Sequence, residues 1–264
     1  MKIAVLYNPT QVQKDVIDFI LKRIGDCGHA AELFSSADEI NGDRLLVLGG
    51  DGTVLRAAKA AAQKEMPIVA VNYGTLGFLT EFNREETDQA VDFILSEAHS
   101  VLNRSMIDVV WNNRHWHCLN EVVLSRKVAV ETSDKVIRFH VAIDRNAAGD
   151  YAADGMIVAT PTGSIAYSLS AGGSILTPDC ENFILTPICA FSLKSRPIVC
   201  SDNSEISFVV AENGAEVALH GDGEFLGTAQ GGDVVYVRKS KMKARFLLRK
   251  QGEFFHRLIN KING

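Results

Sequence analysis

The sequence has 264 residues, which is enough for two domains of ordinary size or one large domain. Its composition, 47% hydrophobic and 22% charged, indicates a soluble globular protein with a substantial core. The net charge of −5 argues against binding to nucleic acids or anionic membranes, and no apolar run approaches the roughly 20 residues that span a bilayer.

Two features of the sequence concern its cellular location. Residues 1–9 are predicted to form a strand ending in a turn, and they lack the apolar region and cleavage site of a signal peptide. The five cysteines are widely spaced, odd in number and without a Cys-x-x-Cys pair, which is typical of reduced thiols. We therefore expect a cytoplasmic protein.

The first part of the chain, residues 1–100, alternates strand and helix signals. Apolar residues recur at helical spacing in each predicted helix, and short apolar runs mark the strands. This order predicts an α/β domain with a doubly wound parallel sheet and ligands at the carboxyl ends of its strands. The predicted strands are 3–7, 31–34, 45–48 and 68–72, and the predicted helices are 12–24, 54–63 and 85–97.

After residue 100 the pattern changes to strands, so residues 101–239 are predicted to form a mostly-β domain. Within 137–143 apolar and polar residues alternate, which indicates a half-buried strand. A helix is expected at 253–262, and the segment 240–264 is expected to pack back on the first domain. The predicted strands are 101–111, 119–124, 136–143, 156–160, 205–211 and 234–238.

The most informative motif is Gly-Gly-Asp-Gly-Thr at residues 49–53, between the strand at 45–48 and the helix at 54–63. A glycine-rich turn before a helix presents backbone N–H groups and the helix dipole to an anion. Asp51 would repel a phosphate there unless it binds a cation, accepts a proton or holds a sugar hydroxyl. The motif therefore favours phosphate chemistry over phosphate binding alone.

Three further loops are rich in glycine and small polar residues, at 72–78, 154–155 and 160–173. Each alone is explained by ordinary turn residues, but four such loops in one chain favour a ligand site. The Gly-x-Gly-x-x-Gly dinucleotide fingerprint, the P-loop and the Gly-x-Ser-x-Gly elbow are all absent from the sequence.

Taken in order, these motifs resemble those of bacterial NAD kinases. The resemblance covers residues 40–200, and the order of the domains fits the whole chain. Gly-Gly-Asp-Gly-Thr is shared with lipid kinases of the diacylglycerol and sphingosine type, whereas the later segments are specific to NAD kinases. The matching segments are 49–53, 72–79, 120–121, 154–155 and 160–173.

The resemblance implies transfer of the γ-phosphoryl group of ATP, or of inorganic polyphosphate, to the 2′-hydroxyl of the adenosine ribose of NAD. Mg²⁺ is expected with ATP, near Asp51, and no metal ligand is directly assignable. Asp51 is implied as the general base. A helix N-terminus stabilises a carboxylate as the anion and so makes it a weak base. We therefore expect Asp51 to orient the hydroxyl and to accept its proton late.

The resemblance also implies a set of binding residues. Arg56 is equally explained as a phosphate ligand or a solvated helix residue, and Phe78 as an adenine contact or a core aromatic. Asn120 and Glu121 would bind adenosine, which requires a strand end or bulge because consecutive strand residues face opposite ways. Asp154 would lie near the nicotinamide. The remaining implied residues are Gly52, Thr162, Ile165, Ala166, Tyr167, Ser168, Leu169, Ser170 and Glu224.

Three positions depart from the family pattern. Ala152 stands where many members carry Arg, Ile165 replaces a common Thr, and Glu224 stands where Gln is frequent and is expected to contact ligand across a subunit interface. By analogy with the family, we expect a homodimer or homotetramer built through the β domain. The alternatives are a lipid kinase, with a wide apolar pocket and membrane attraction, and a non-catalytic nucleotide sensor.

Overall fold

The computed structural model describes residues 1–75, 77–97, 99–127, 136–192, 194–212, 215–249 and 254–262. Leu76 in the predicted loop 72–78, and Glu253 at the start of the predicted C-terminal helix, lie outside the described residues. The chain forms two units. The first unit comprises Met1–Arg104 and Met242–Gly264, and the second comprises Ser105–Lys241.

The N-terminal part of the first unit alternates strands and helices, as predicted. Short 3-10 helices occur at Ala37–Glu39 and Arg84–Glu86. The main elements are β1 (Lys2–Tyr7), α1 (Lys14–Asp26), β2 (Ala30–Phe34), β3 (Arg44–Gly49), α2 (Asp51–Gln63), β4 (Ile68–Asn72), β5 (Phe82–Asn83) and α3 (Thr87–Leu95).

These strands form a parallel sheet in the order β2-β1-β3-β4-β5. Helices α1 and α3 share one buried cluster with alternate residues of the sheet, including Val5, Leu46 and Val69. The intervening residues Leu45 and Val47 are also fully buried, and α2 contacts β3 and β4. Helices therefore cover both faces, and the predicted doubly wound sheet is confirmed.

The second unit is built mainly from strands, which confirms the prediction of a mostly-β second part. Strand β6 begins in the first unit and the last strand, β17, ends there. A 3-10 helix at Gly163–Ile165 precedes the short helix α4 (Tyr167–Ser170). The strands are β6 (Ser100–Trp111), β7 (Arg114–Cys118), β8 (Glu121–Arg126), β9 (Ile137–Ile143), β10 (Asn146–Ala153), β11 (Gly155–Ala159), β12 (Asn182–Ile188), β13 (Ile198–Ser201), β14 (Ile206–Val210), β15 (Val217–Gly221), β16 (Glu224–Ala229) and β17 (Val234–Leu248).

Two antiparallel arrangements make the core of the second unit. One runs β10-β9-β14-β17, and the other runs β13-β12-β11-β8-β15-β16. Their apolar residues form one cluster in which Phe139 and Phe208 meet edge to face at 6.0 Å. The six-stranded sheet carries the predicted ligand residues of this unit. Asn120 and Glu121 lie at the start of β8, and β11 runs between the predicted ligand loops 154–155 and 160–173.

The chain returns to the first unit at its C-terminal end. Phe246 of β17 pairs with Ile68 of β4, and helix α5 (Phe254–Ile262) follows. Among the described residues, no helix is long and apolar enough to cross a membrane.

Several predicted boundaries differ from the structure. Helix α2 begins at Asp51, not at residue 54, because Gly50 is its extended N-cap and the predicted turn residues form the first helical turn. Strand β17 runs ten residues past the predicted end at Arg238. Six strands of the second unit, β7, β10, β12, β13, β15 and β16, had no predicted counterpart. Several of these strands are short or carry many polar and small residues, so the alternating apolar pattern is weak there.

We expect Leu48→Ala to destabilise the first unit, because Leu48 is fully buried in the cluster shared by α1 and α3. The lost contacts and the cavity should lower the free energy of unfolding by about 2–5 kcal/mol, measured by urea denaturation. Leu33→Ala is the matched control, because Leu33 is 40% exposed, and its effect should stay within about 0.5 kcal/mol. Equal effects of the two substitutions would contradict this assignment of the core.

Candidate active site

Asp51 is the first residue of α2 and follows the N-cap Gly50. Its carboxylate accepts two backbone hydrogen bonds, from Phe78 N–H to Oδ2 at 2.8 Å and from Leu79 N–H to Oδ1 at 2.9 Å. The helix N-terminus adds a favourable field for the negative charge. Because each carboxylate oxygen can accept two hydrogen bonds, Asp51 keeps acceptor capacity for a ligand hydroxyl.

The glycines around Asp51 serve two different purposes. A Cβ on Gly77 would lie 2.4 Å from Asp51 Oδ1, so any side chain at residue 77 would displace the carboxylate. A Cβ on Gly52 would meet no protein atom within 4 Å, and Gly52 is exposed. Gly77 is therefore required by packing, whereas Gly52 leaves open surface beside Asp51.

Two other predicted residues of the first unit lie on accessible positions. Arg56 is exposed on α2. Phe78 is partly buried, and its ring centroid lies 6.5 Å from that of Phe254 in α5. Arg56 is therefore not a core residue, and Phe78 combines partial accessibility with a contact inside the first unit.

In the second unit, the start of β8 is held by a carboxylate that the sequence analysis had not assigned a role. Asp222 accepts backbone N–H groups from Leu119 at 2.6 Å, Asn120 at 2.7 Å and Glu121 at 3.1 Å. Asp222 and Gly223 form the turn between β15 and β16, with Asp222 at φ 49°. The Asp-Gly pair is a turn signal that could have located this residue. Joint contact of Asn120 and Glu121 with one ligand requires a strand end or bulge, and the start of β8 is such a strand end.

The side chains of Asn120 and Glu121 contain buried atoms that need a partner. Among the described residues, nothing hydrogen bonds to Asn120 Oδ1 or to Glu121 Oε2, and Glu121 is only 8% exposed. Leaving such atoms unsatisfied costs free energy, which a ligand could recover. These two atoms therefore mark a polar ligand position.

The two acids at this strand end differ in protonation. Burial, and secondarily the charge of Asp222, raises the pKa of Glu121 to about 8. Burial also raises the pKa of Asp222, but its three backbone N–H donors limit the value to about 6. At pH 7 Asp222 is thus ionised, while Glu121 keeps its proton and can donate a hydrogen bond.

The predicted loop at 160–173 packs directly on Asn120. Thr160 Oγ1 donates to Leu119 O at 2.6 Å, and Thr160 N–H donates to Asn120 O at 2.9 Å. A Cβ on Gly163 would lie 2.1 Å from Asn120 O, so only glycine fits there. The loop and the start of β8 therefore form one rigid contact within the second unit.

The predicted residues of this loop separate into buried and accessible groups. Ser168 is fully buried, and its hydroxyl bonds to Thr186 Oγ1 at 2.8 Å, so the structure places it in the interior rather than on a ligand surface. Thr162 is also buried. Tyr167 is 45% exposed and Ser170 is exposed. The residues of intermediate exposure are Ile165, Ala166 and Leu169.

Asp154 and Glu224 occupy different places. Asp154 is exposed and precedes β11, whereas Thr160 follows the end of that strand, so six residue steps of extended chain separate them by about 20 Å. The structure therefore does not gather Asp154 with Asn120 and Glu121. Glu224 is exposed at the start of β16, two residues after Asp222. Ala152 lies on β10 and offers only a methyl group.

These features define a class of protein. A doubly wound sheet carries a hydrogen-bonded carboxylate at a helix N-terminus, and a β unit carries a buried polar position beside a glycine-rich loop. This combination is that of a phosphotransferase acting on a nucleotide.

Comparison with protein families gives the specific assignment. Residues 10–99 match the model of the ATP-NAD kinase N-terminal domain, and residues 119–248 match that of the ATP-NAD kinase C-terminal domain. The chain belongs to the ATP-NAD kinase family, and its activity is the phosphorylation of NAD to NADP. The predicted family and enzyme class are confirmed, and the lipid kinase and sensor alternatives are not supported.

Individual relatives agree with the family match. The NAD kinase of Carboxydothermus hydrogenoformans is 37% identical over 256 residues, covering 93% of this chain and 89% of that protein. The bifunctional NADP phosphatase/NAD kinase of Methanococcus maripaludis is 38% identical over 234 residues, covering 88% of this chain. This chain covers only 40% of the length of that bifunctional protein.

Solved structures show the same fold. An NAD kinase from Archaeoglobus fulgidus in complex with ATP has a TM-score of 0.79 at 25% identity, with coverage of 100% of this chain and 99% of that one. A yeast NADH kinase complexed with NADH has a TM-score of 0.88 at 24% identity, with coverage of 100% and 87%. The second likeness concerns the fold alone.

The protonation of Glu121 predicts a pH dependence of stability. The folded protein keeps this proton up to about pH 8, whereas the ordinary pKa is 4.5. Between these two pKa values the folded state therefore binds more protons than the unfolded state. The contribution of Glu121 to the free energy of unfolding falls as pH rises, by up to about 1.4 kcal/mol per pH unit. In urea denaturation from pH 5 to pH 8, Glu121→Gln should remove this contribution and leave only the slope that Asp222, with a pKa of about 6, adds at the lower end of the range.

Glu224→Gln is the control for this measurement, because Glu224 is an exposed acid near the same turn. It should keep the slope of the unaltered protein. If Glu121→Gln and the unaltered protein lost stability equally with rising pH, Glu121 would not be protonated in the folded state.

Proposed function

We propose that this protein transfers the γ-phosphoryl group of ATP to the 2′-hydroxyl of the adenosine ribose of NAD, with Asp51 at the reacting hydroxyl. The observation that carries the proposal is the hydrogen-bonded carboxylate at the start of α2, flanked by open glycine surface. Phosphoryl transfer depends mainly on positioning and on charge stabilisation, and this geometry supplies a fixed acceptor beside a helix N-terminus.

Asp51 acts on the acceptor hydroxyl in two ways. Its remaining lone pairs accept the hydroxyl proton as a hydrogen bond and so orient the oxygen for attack. As the new O–P bond forms, the bond between the γ-phosphorus and the bridging oxygen breaks and ADP leaves, while the proton passes from the attacking oxygen to the carboxylate. Because the helix N-terminus and two N–H donors stabilise the anion, this transfer comes late in the reaction.

Asn120 and Glu121 hold the adenosine of NAD in this proposal. Asn120 Oδ1 accepts a hydrogen bond from the ligand, and the protonated Glu121 donates one to a ligand oxygen. Unsatisfied buried atoms of both kinds suit the mixed donors and acceptors of a nucleoside. Tyr167 and Ser170, the exposed residues of the 160–173 loop, offer a ring and a hydroxyl to the same ligand.

The other implied contacts remain part of the proposal. Gly52 leaves room for substrate beside Asp51, Arg56 binds phosphate, and Phe78 contacts adenine. Asp154 serves the nicotinamide end, which its distance along β11 from Thr160 allows because NAD is a long dinucleotide. Glu224 contacts ligand of a neighbouring subunit. The loop backbone supplies the rest, through Thr162, Ile165, Ala166 and Leu169, whereas the buried Ser168 supports the loop from the interior.

Mg²⁺ fits this site as an ion that arrives with ATP. Among the described residues, no group of three or more His, Cys, Asp or Glu side chains is arranged to hold a metal. Mg²⁺ usually uses one or two carboxylates plus substrate phosphates, and Asp51 is such a carboxylate. When bound, the ion neutralises charge on the phosphates.

Assembly and location complete the proposal. We infer a cytoplasmic enzyme, since the five cysteines, which all lie in the described ranges, are thiols and not disulfides. The substrates are small molecules, and neither a membrane nor a nucleic acid is a partner. A homodimer or homotetramer is expected in static light scattering, and a monomer mass at working concentration would contradict it.

Asp51→Asn tests the catalytic assignment. Asparagine keeps the shape but cannot accept the proton, so NAD binding should remain measurable while turnover falls about 10²- to 10⁴-fold. Turnover is measured by supplying ATP, Mg²⁺ and NAD and assaying NADP with an NADP-specific dehydrogenase. Asp18→Asn, at an exposed site on α1, is the control and should leave turnover unchanged.

Two outcomes would contradict the proposal. Near-normal turnover of the Asp51→Asn protein would remove Asp51 from the base role. Well-folded unaltered protein that forms no NADP, with either ATP or polyphosphate as donor, would refute the proposed activity as a whole.

A further inference from the structure

The loop that holds Asp51, residues 77–82, is fastened by residues from the other end of the chain. Glu81 in this 77–82 loop is only 7% exposed, so its charge needs partners. Its Oε1 accepts the backbone N–H of Arg249 at 2.8 Å, and its Oε2 accepts Arg257 Nη2 at 2.8 Å. Both partners come from the C-terminal segment, defined here as Arg249 with α5.

The same two arginines also bind the loop backbone. Arg257 Nη1 donates to Thr80 O at 2.6 Å, and Arg249 Nη2 donates to Glu81 O at 3.1 Å. The loop is tied to the parallel sheet by Glu81 N–H, which donates to Ala70 O at 2.9 Å. The guanidinium of Arg257 therefore bridges a side chain and a carbonyl directly after Leu79, whose N–H holds Asp51.

The buried Arg104 interacts electrostatically with both Arg257 and Asp51. Arg104 is buried beside the ring of Phe246, with its guanidinium carbon 5.1 Å from the ring centroid. Burial and the charge of Arg257 lower the pKa of Arg104 to about 10, and the charges of Asp51 and Glu81 oppose that shift. Arg104 therefore lies close enough to Arg257, Asp51 and Glu81 to interact with all three electrostatically.

Helix α5 contacts the 77–82 loop through the side chains of Arg257 and Phe254. It has nine residues, and isolated helices of that length are marginal in water. Phe255 and Ile259 are exposed, while Leu258 is buried and Phe254 faces Phe78. The contacts of α5 with the 77–82 loop therefore help to order both the helix and the loop.

We propose that Arg257 is a positioning residue for phosphoryl transfer, which acts through the 77–82 loop by fixing the N–H groups of Phe78 and Leu79 against the carboxylate of Asp51. This inference rests on the proposed catalytic role of Asp51. No part of Arg257 needs to touch a substrate. Small displacements of a catalytic group are costly, since a shift of about 1 Å can reduce a rate about 100-fold.

The test compares Arg257→Met, Arg257→Lys and the control Arg245→Met. Arg245 is in the same unit and makes a surface ion pair with Glu65 at 3.1 Å. We expect Arg257→Met to lower kcat about 10- to 100-fold, with KM for NAD and for ATP changed less than about threefold. Lysine keeps the charge but cannot span Thr80 O and Glu81 together, so its kcat should be intermediate. The control should match the unaltered enzyme.

A double-substitution cycle separates this proposal from the role of Asp51. If Arg257 acts through Asp51, then adding Arg257→Met to Asp51→Asn should cause little further loss of kcat. Multiplied losses would overturn the positioning role. A fully active Asp51→Asn protein would instead overturn the proposed catalytic role of Asp51, whatever Arg257 does.

Thermal unfolding of each variant shows whether a lower kcat results from loss of folded protein. If Arg257→Met does not fold, Arg257→Lys carries the test, and its reduced kcat at an unchanged KM and folded fraction supports the proposal. Unchanged kcat in the folded variants, or a rise in KM alone, would overturn it.

Discussion

The carboxylate of Asp51 is held by the N-terminus of its own helix and by two N–H groups from a loop beside it. This contact restricts the sequence around it. Residue 77 must be glycine because a Cβ would strike Oδ1, and the loop must be anchored if its two donors are to stay in place. Preorganised donors need no rearrangement when substrate arrives, which is where much of an enzyme's electrostatic advantage arises. The buried Glu81 and its arginines are best understood as the support for this one contact.

The second unit uses a carboxylate in a different way. The carboxylate of Asp222 accepts hydrogen bonds from three backbone N–H groups and so fixes the start of β8. Glu121 lies next to that charge without a comparable set of donors, and it therefore stays protonated near neutrality. Two acids that meet at the same strand end thus have different roles: Asp222 holds the structure, and Glu121 presents a neutral hydrogen-bonding group. Environment, rather than residue type, sets these roles.

Local signals predicted the α/β order of the first unit and the position of Asp51, because apolar periodicity and glycine-rich turns act over a few neighbouring residues. The partners of Asp51 were not predictable in this way. Its donors are backbone groups 27 and 28 residues later, and a backbone N–H has no side-chain signature. The contact between Glu81 and Arg257 spans 176 residues, and the role of Asp222 depends on strand pairing. Such contacts follow from topology, which a single sequence specifies only weakly. Polar strands such as β10 were not predicted, because apolar and polar residues alternate only weakly in them.

The neutral Glu121 has a consequence for inhibitor chemistry. A compound designed for this position should offer a hydrogen-bond acceptor, such as a carbonyl or ether oxygen, and not an ammonium group selected to pair with an anion. Since the carboxyl loses its proton only near pH 8, affinity of an acceptor-bearing compound would decline in alkaline buffer while that of a cationic one would rise. Screening a library at two pH values would therefore sort its members by how they engage this single side chain.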